Sequence, residues 1–207
     1  MTYSKKTLEN FTKELASSAP VPGGGGAAAL VSAIGISLGN MVGELTVGKK
    51  KYQDVEAELR SCMEEAEKLR KEFLSLIDAD AEAFKPLAEA YGFRKEEPGR
   101  DELLEKALVT AAEAPLNLMR TCAKALGLVK IFAEKGSVLV KSDALCAAVF
   151  IKAALQAASS NVYINTGMMK QRDRALSMEQ ECDSLLSDYT AMADEIHETT
   201  LNMIRKK

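Results

Sequence analysis

Apolar positions recur at spacings of 3 and 4 along most of the chain, and strand-like alternation is hard to find. Leu8, Phe11 and Leu15 predict a first helix over about Ser4 to Ser17 that ends near Pro20. A second helix is predicted from Gly26 or Ala27 to about Val47, with Gly48 as its stop. Within it Gly35, Gly39 and Gly43 line one face and would let a neighbouring helix approach closely. A long third helix, about Tyr52 to Tyr91, carries the stripe Val55, Leu59, Met63, Ala66, Leu69, Phe73, Ile77, Phe84 and Leu87, and Pro86 should kink it. A fourth helix is expected from about Arg100 to Leu126, bent or interrupted at Pro115, with less regular chain from Gly127 to Val140. Ser142 suits an N-cap for a fifth helix, about Asp143 to Thr166. A last helix from about Ser177 to Arg205 should bury Leu185, Tyr189, Met192, Ile196 and Met203. Six helices with short connections imply an all-α, up-down bundle forming a single domain over residues 1–207.

Composition narrows the class further. Hydrophobic residues make up 47% and charged residues 28% of the 207, ordinary values for a globular protein. Basic and acidic residues, 27 against 30, are interspersed and leave a net charge of −3, so no basic face invites nucleic acid. Cys62, Cys122, Cys146 and Cys182 have no zinc-type spacing and read as core fillers of a reduced, cytoplasmic protein. Residues 21–43 carry no charge. Their apolar content is largely Ala and Gly, interrupted by Ser32, Ser37 and Asn40, which argues for a helix buried among helices rather than a membrane span. The N-terminus leads into an amphipathic helix, so no export signal is expected. The small-residue helix is apolar on more sides than one layer of neighbours would cover, and a homodimer is the expected unit.

Candidate chemistry lies at a few positions. Four successive glycines, Gly23, Gly24, Gly25 and Gly26, follow Pro20-Val21-Pro22, and they suit a place where a ligand or a helix comes close to the backbone. They lack the spacing of a nucleotide loop, which excludes ATP binding. Asp80 interrupts the apolar stripe Phe73, Ile77, Asp80, Phe84, Leu87. A desolvated carboxylate there would have a raised pKa suited to acid–base work, or else would serve as the partner of a lysine or a helix end. Asp78 points about 200° away and, with Glu82, is expected at a solvated or ion-paired edge. Lys49, Lys50 and Lys51 form either an anion-attracting patch or a solvated junction. Asn161 and Asn165 share a face with Ala154 and Ala158, where their amides would read a heterocycle, cap a helix or pair across a dimer axis. The single histidine, His197, has no companion ligands, and no metal site is expected.

These residues together resemble the formiminotetrahydrofolate cyclodeaminase and methenyltetrahydrofolate cyclohydrolase family. The marks are Pro20-Val21-Pro22-Gly23-Gly24-Gly25, Leu45-Thr46-Val47-Gly48-Lys49-Lys50-Lys51-Tyr52, Asp78-Ala79-Asp80-Ala81-Glu82-Ala83-Phe84, Ala114-Pro115-Leu116 and Ser142-Asp143. One position departs: Gly26 stands where the family usually has serine. The resemblance implies an all-helical dimer that binds a reduced folate near the subunit interface, with no cofactor beyond that tetrahydrofolate substrate. The implied reactions are closure of 5-formiminotetrahydrofolate with release of ammonia, or hydrolysis of 5,10-methenyltetrahydrofolate to 10-formyltetrahydrofolate. It places the catalytic acid–base at Asp80; with that assignment, the loop of Pro22 and Gly23 to Gly26 is expected to admit the folate close to the backbone and Lys49 to Lys51 to attract its glutamate tail. A non-catalytic folate-binding or helical interaction protein of the same fold is the alternative.

Overall fold

Six α-helices build the computed structural model, which describes residues 2–94 and 96–205: α1 (Leu8–Leu15), α2 (Gly24–Glu44), α3 (Glu56–Gly92), α4 (Arg100–Lys135), α5 (Lys141–Thr166) and α6 (Arg172–Arg205). Short 3-10 turns at Tyr3–Lys5, Lys50–Val55 and Val138–Val140 precede α1, α3 and α5. No strand occurs among the described residues, and the all-α bundle expected from the spacing is the fold observed. The core is continuous from Phe11 and Ile36 through Phe73, Leu116 and Phe132 to Ile151, Leu155 and Ile196.

Helix ends depart from the sequence expectation for identifiable reasons. The Thr7 hydroxyl accepts from the Asn10 N–H at 3.2 Å, so α1 starts at Leu8 and not near Ser4. Of its predicted stripe only Phe11 is buried, while Leu8 and Leu15 stay exposed. The fourth helix does not end at Leu126. It continues through Gly127 to Lys135, because Val129, Phe132 and Ala133 are buried and their packing outweighs the roughly 1 kcal/mol that an interior glycine costs. Ser142 lies inside α5 and not at its cap: the helix begins at Lys141, whose buried ammonium donates to the carbonyls of Ala133 and Glu134 and so closes the end of α4. Neither Pro86 nor Pro115 interrupts its helix. In α6, Met203 is exposed, and Ala175, Met178, Cys182, Ala193, Ile196 and Thr200 form the buried side.

The small-residue helix α2 packs against α3, α4 and α5. By length and apolarity it would suffice to cross a membrane, but more than half of it is buried inside the bundle. Its glycine row meets three helices rather than one. A Cβ on Gly35 would stand 2.6 Å from Ile151 Cγ1 in α5, one on Gly39 3.2 Å from Phe132 in α4, and one on Gly43 2.7 Å from Met63 in α3. The axes therefore approach closely only because these side chains are missing. Gly35→Val is expected to lower the unfolding free energy by about 1–3 kcal/mol through overpacking against Ile151, measurable by urea denaturation.

Candidate active site

The first turn of α2 is made of glycine alone, so no side chain there can cap it. Its N-cap, Gly23, is extended and makes no side-chain cap bond. The cap comes instead from α3: Asp80 Oδ2 accepts the Gly26 N–H at 2.9 Å. Gly25 makes that approach possible, since a Cβ at this position would lie 2.1 Å from Asp80 Oδ1. The expectation that Asp80 leaves the apolar stripe for a special partner is met in one of its two forms, the helix end, and the same carboxyl also lines a cleft.

Asp80 is half-buried, with Ile77 and Ala81 buried beside it in α3. Burial pushes its pKa above the ordinary aspartate value, while the Gly26 N–H pulls in the opposite direction and loses. The cleft has a volume of about 180 Å³. Pro20, Val21 and Gly23 to Gly25 form one wall, Asp80, Ala83 and Phe84 a second, and Ala111, Asn161 and Asn165 a third. Five elements thus contribute: the entry loop, α2, α3, α4 and α5.

The predicted site residues divide sharply. Gly23, Gly24, Gly25, Asp80, Asn161 and Asn165 come together in this cleft. Pro22 is buried behind it, and Gly26 contributes its N–H to Asp80. A Cβ on Gly26 would meet Pro22 Cβ at 3.5 Å and Ile77 at 3.7 Å, ordinary contact, and with glycine here the backbone N–H still donates to Asp80. Lys49, Lys50 and Lys51 are not in the cleft. They follow the far end of the 21-residue α2, about 30 Å away at 1.5 Å per residue, where Lys51 lies over the Tyr52 ring. None of the three lines the cleft that holds Asp80.

Asp78 is no solvated edge. It accepts from the Tyr3 N–H and the Ser4 hydroxyl and ties the N-terminal turn to α3. Glu82 pairs with Lys85 as an edge residue would. The asparagines serve as helix partners at the same time as they line the cleft: Asn161 Nδ2 donates to Ala157 O at 2.9 Å, and Asn165 Nδ2 donates to Ala111 O at 3.0 Å and Asn161 O at 2.8 Å. Phe84, expected on the apolar stripe, packs against the core and also lines the cleft one turn beyond Asp80. Its spacing of four from the one carboxylate of the stripe is the signal that marks it. Ala83 and Ala111 carry no signal of their own. No group of three or more His, Cys, Asp or Glu side chains able to hold a metal occurs among the described residues.

The cleft of this helical bundle thus brings together one desolvated carboxyl, apolar side chains and two amides. The chain belongs to the formiminotransferase-cyclodeaminase family, whose model matches residues 7–184. It is 41% identical over 203 residues to a methenyltetrahydrofolate cyclohydrolase from Methylorubrum extorquens, covering 96% of this chain and 98% of that protein. It is 31% identical to a formimidoyltransferase-cyclodeaminase from Dictyostelium discoideum over 95% of this chain, which spans 36% of that longer protein. The crystal structure of formiminotetrahydrofolate cyclodeaminase from Thermotoga maritima superposes with a TM-score of 0.83 at 28% identity, covering 97% of this chain and 96% of that one.

The raised pKa of Asp80 fixes the sign of a stability experiment. The folded state holds the proton more tightly than the unfolded chain, so the associated stability is complete below the ordinary value of 3.8 and is lost as pH rises through the folded-state pKa. Ionised Asp80 is therefore a net cost near neutral pH. Asp80→Asn is expected to raise Tm by a few degrees at pH 8, at about 2–4 °C per kcal/mol for a chain of this size, with the gain fading as pH falls through the Asp80 pKa. A variant less stable than the parent at every pH would contradict it.

Proposed function

We propose that this chain hydrolyses 5,10-methenyltetrahydrofolate to 10-formyltetrahydrofolate, with Asp80 as the proton shuttle. The observation that carries the reading is the desolvated Asp80 carboxyl, held by the Gly26 N–H on a side chain that lines the cleft, in a chain that matches a methenyltetrahydrofolate cyclohydrolase over nearly the full length of both. The methenyl carbon is cationic and electrophilic. Asp80 takes a proton from an attacking water as the new C–O bond forms, giving a neutral ring adduct. The C–N5 bond then breaks, Asp80 returns its proton to N5, and the adduct's hydroxyl proton leaves to solvent as the carbonyl forms. The balance is one water consumed and one proton released. A carboxyl raised towards neutrality is suited to both halves, since it must accept and then donate.

Phe84 and the loop residues Pro20 and Val21 supply apolar surface for the ring system, and the missing Cβ atoms of Gly24 and Gly25 let it lie close to the backbone. The reading needs no cofactor beyond the tetrahydrofolate substrate. The likeness to the cyclodeaminase crystal structure favours a second reaction at the same carboxyl, closure of 5-formiminotetrahydrofolate with loss of ammonia. That reaction too requires a proton removed from an attacking nitrogen and one given to a departing one.

We further propose a cytoplasmic homodimer. Its basis is the outward face of α2, where Ile34, Met41 and Leu45 stay exposed beside the partly buried Leu30 and Leu38. Light scattering at micromolar concentration is expected to give the dimer mass, and a monomer would refute this part.

Parallel incubation with methenyltetrahydrofolate and 5-formiminotetrahydrofolate, followed by near-ultraviolet absorbance, decides between the reactions. Asp80→Asn is expected to reduce turnover by about 10²–10⁴-fold while product binding and the helical circular dichroism stay near those of the parent. Near-normal turnover would overturn the assignment.

A further inference from the structure

Pro115 lies buried inside α4, and a proline there withholds the N–H that the carbonyl four residues earlier would accept. That carbonyl belongs to Ala111, a cleft residue. It is taken instead by Asn165 Nδ2 from α5 at 3.0 Å, and the second proton of the same amide goes to Asn161 O at 2.8 Å. Both partners are carbonyl oxygens, so only the NH2 end of the Asn165 amide can face them; the flipped amide would set Oδ1 against two acceptors. Oδ1 is left without a protein partner among the described residues, on a side chain that lines the cleft.

We infer that Pro115 is a positioning residue. By leaving Ala111 O unpartnered within α4, it locks the Asn165 amide so that the cleft is offered a fixed acceptor, one that selects a ligand bearing an N–H donor. This inference rests on the folate reading, which supplies that donor: the pterin ring of a tetrahydrofolate carries ring N–H groups and an exocyclic amine. An acceptor held by two hydrogen bonds is pre-organised, and it loses no side-chain freedom when the ring binds.

Three variants separate recognition from fold stability. Pro115→Ala returns an N–H to Ala111 O and leaves the Asn165 amide with its bond to Asn161 O as the one remaining restraint; KM for methenyltetrahydrofolate is expected to rise roughly three- to tenfold with kcat changed less than about threefold, and Tm to hold or rise. Asn165→Ala leaves Ala111 O without its partner, so Tm should fall as KM rises. In the Pro115→Ala/Asn165→Ala double variant the backbone N–H replaces the lost amide, so Tm should recover while KM stays high. If Asn165→Ala alone fails to fold, the double variant carries the same comparison. An unchanged KM in Pro115→Ala, or recovery of KM together with Tm in the double variant, would overturn the inference and leave the bond purely structural. Calorimetry with 10-formyltetrahydrofolate on the parent protein distinguishes the two failures: absence of binding and of turnover there defeats the folate reading itself.

Discussion

The hydrogen bond from the Gly26 N–H to Asp80 Oδ2 is the constraint on which the site depends. A helix that begins with three glycines has weak propensity and no side chain with which to cap itself, so its start must be stabilised from elsewhere. Asp80 does this across two helices. The same absence of side chains that creates the need also opens the space, because any Cβ at Gly25 would collide with the carboxyl. One carboxyl therefore serves as the cap and lines the cleft: it lies near the helix start that it holds, and its burial there raises its pKa above the ordinary aspartate value. The stability cost of ionised Asp80 is accepted at the site of function and offset by the packing of α2 in the core.

Capping from another helix recurs through the bundle. Asp78 accepts from Tyr3 and Ser4 at the N-terminal turn, and Glu105 in α4 accepts from the N–H groups of Lys170 and Gln171 at 2.7 and 2.9 Å, just before α6 begins. Lys141 serves the opposite pole by closing the C-terminal carbonyls of α4. Long helices with few capping side chains of their own are in this way fixed in register by one another. Arg120 adds a forked pair to Glu181, at 2.6 and 2.8 Å, that binds α4 to α6. The cleft is positioned by this framework, since three of its helices enter through ends or interior turns held in place from outside.

Much of this was legible in the sequence, and the exceptions have physical causes. Asp80 stood out because a charge on an otherwise apolar stripe is costly without a partner, and the glycine row because small residues four apart make a contact face. Gly127 misled because a local propensity of about 1 kcal/mol lost to the burial of Phe132 and its neighbours, which no short window reveals. Lys49 to Lys51 suggested an anion site, yet nothing in a linear pattern tells which end of α2 faces the cleft. Asn161 and Asn165 stand out as a pair, but the bond from Asn165 to the Ala111 carbonyl joins α5 to α4 across 54 positions of sequence, beyond any helical spacing. Phe84 was hidden by its own hydrophobicity: on a stripe, a ring that packs in the core and a ring that faces a cleft look the same.

Burial at the start of α2 raises the Asp80 carboxyl above the ordinary aspartate value, and the proposed proton transfer rests on that shift. Carbon-13 NMR titration of the Asp80 side-chain carboxyl, assigned by its loss in the Asn variant, measures this directly. The account predicts a midpoint above the ordinary aspartate value of 3.8 that coincides with the acid limb of the pH profile for turnover. A midpoint at or below 3.8, with turnover indifferent to that titration, would contradict it.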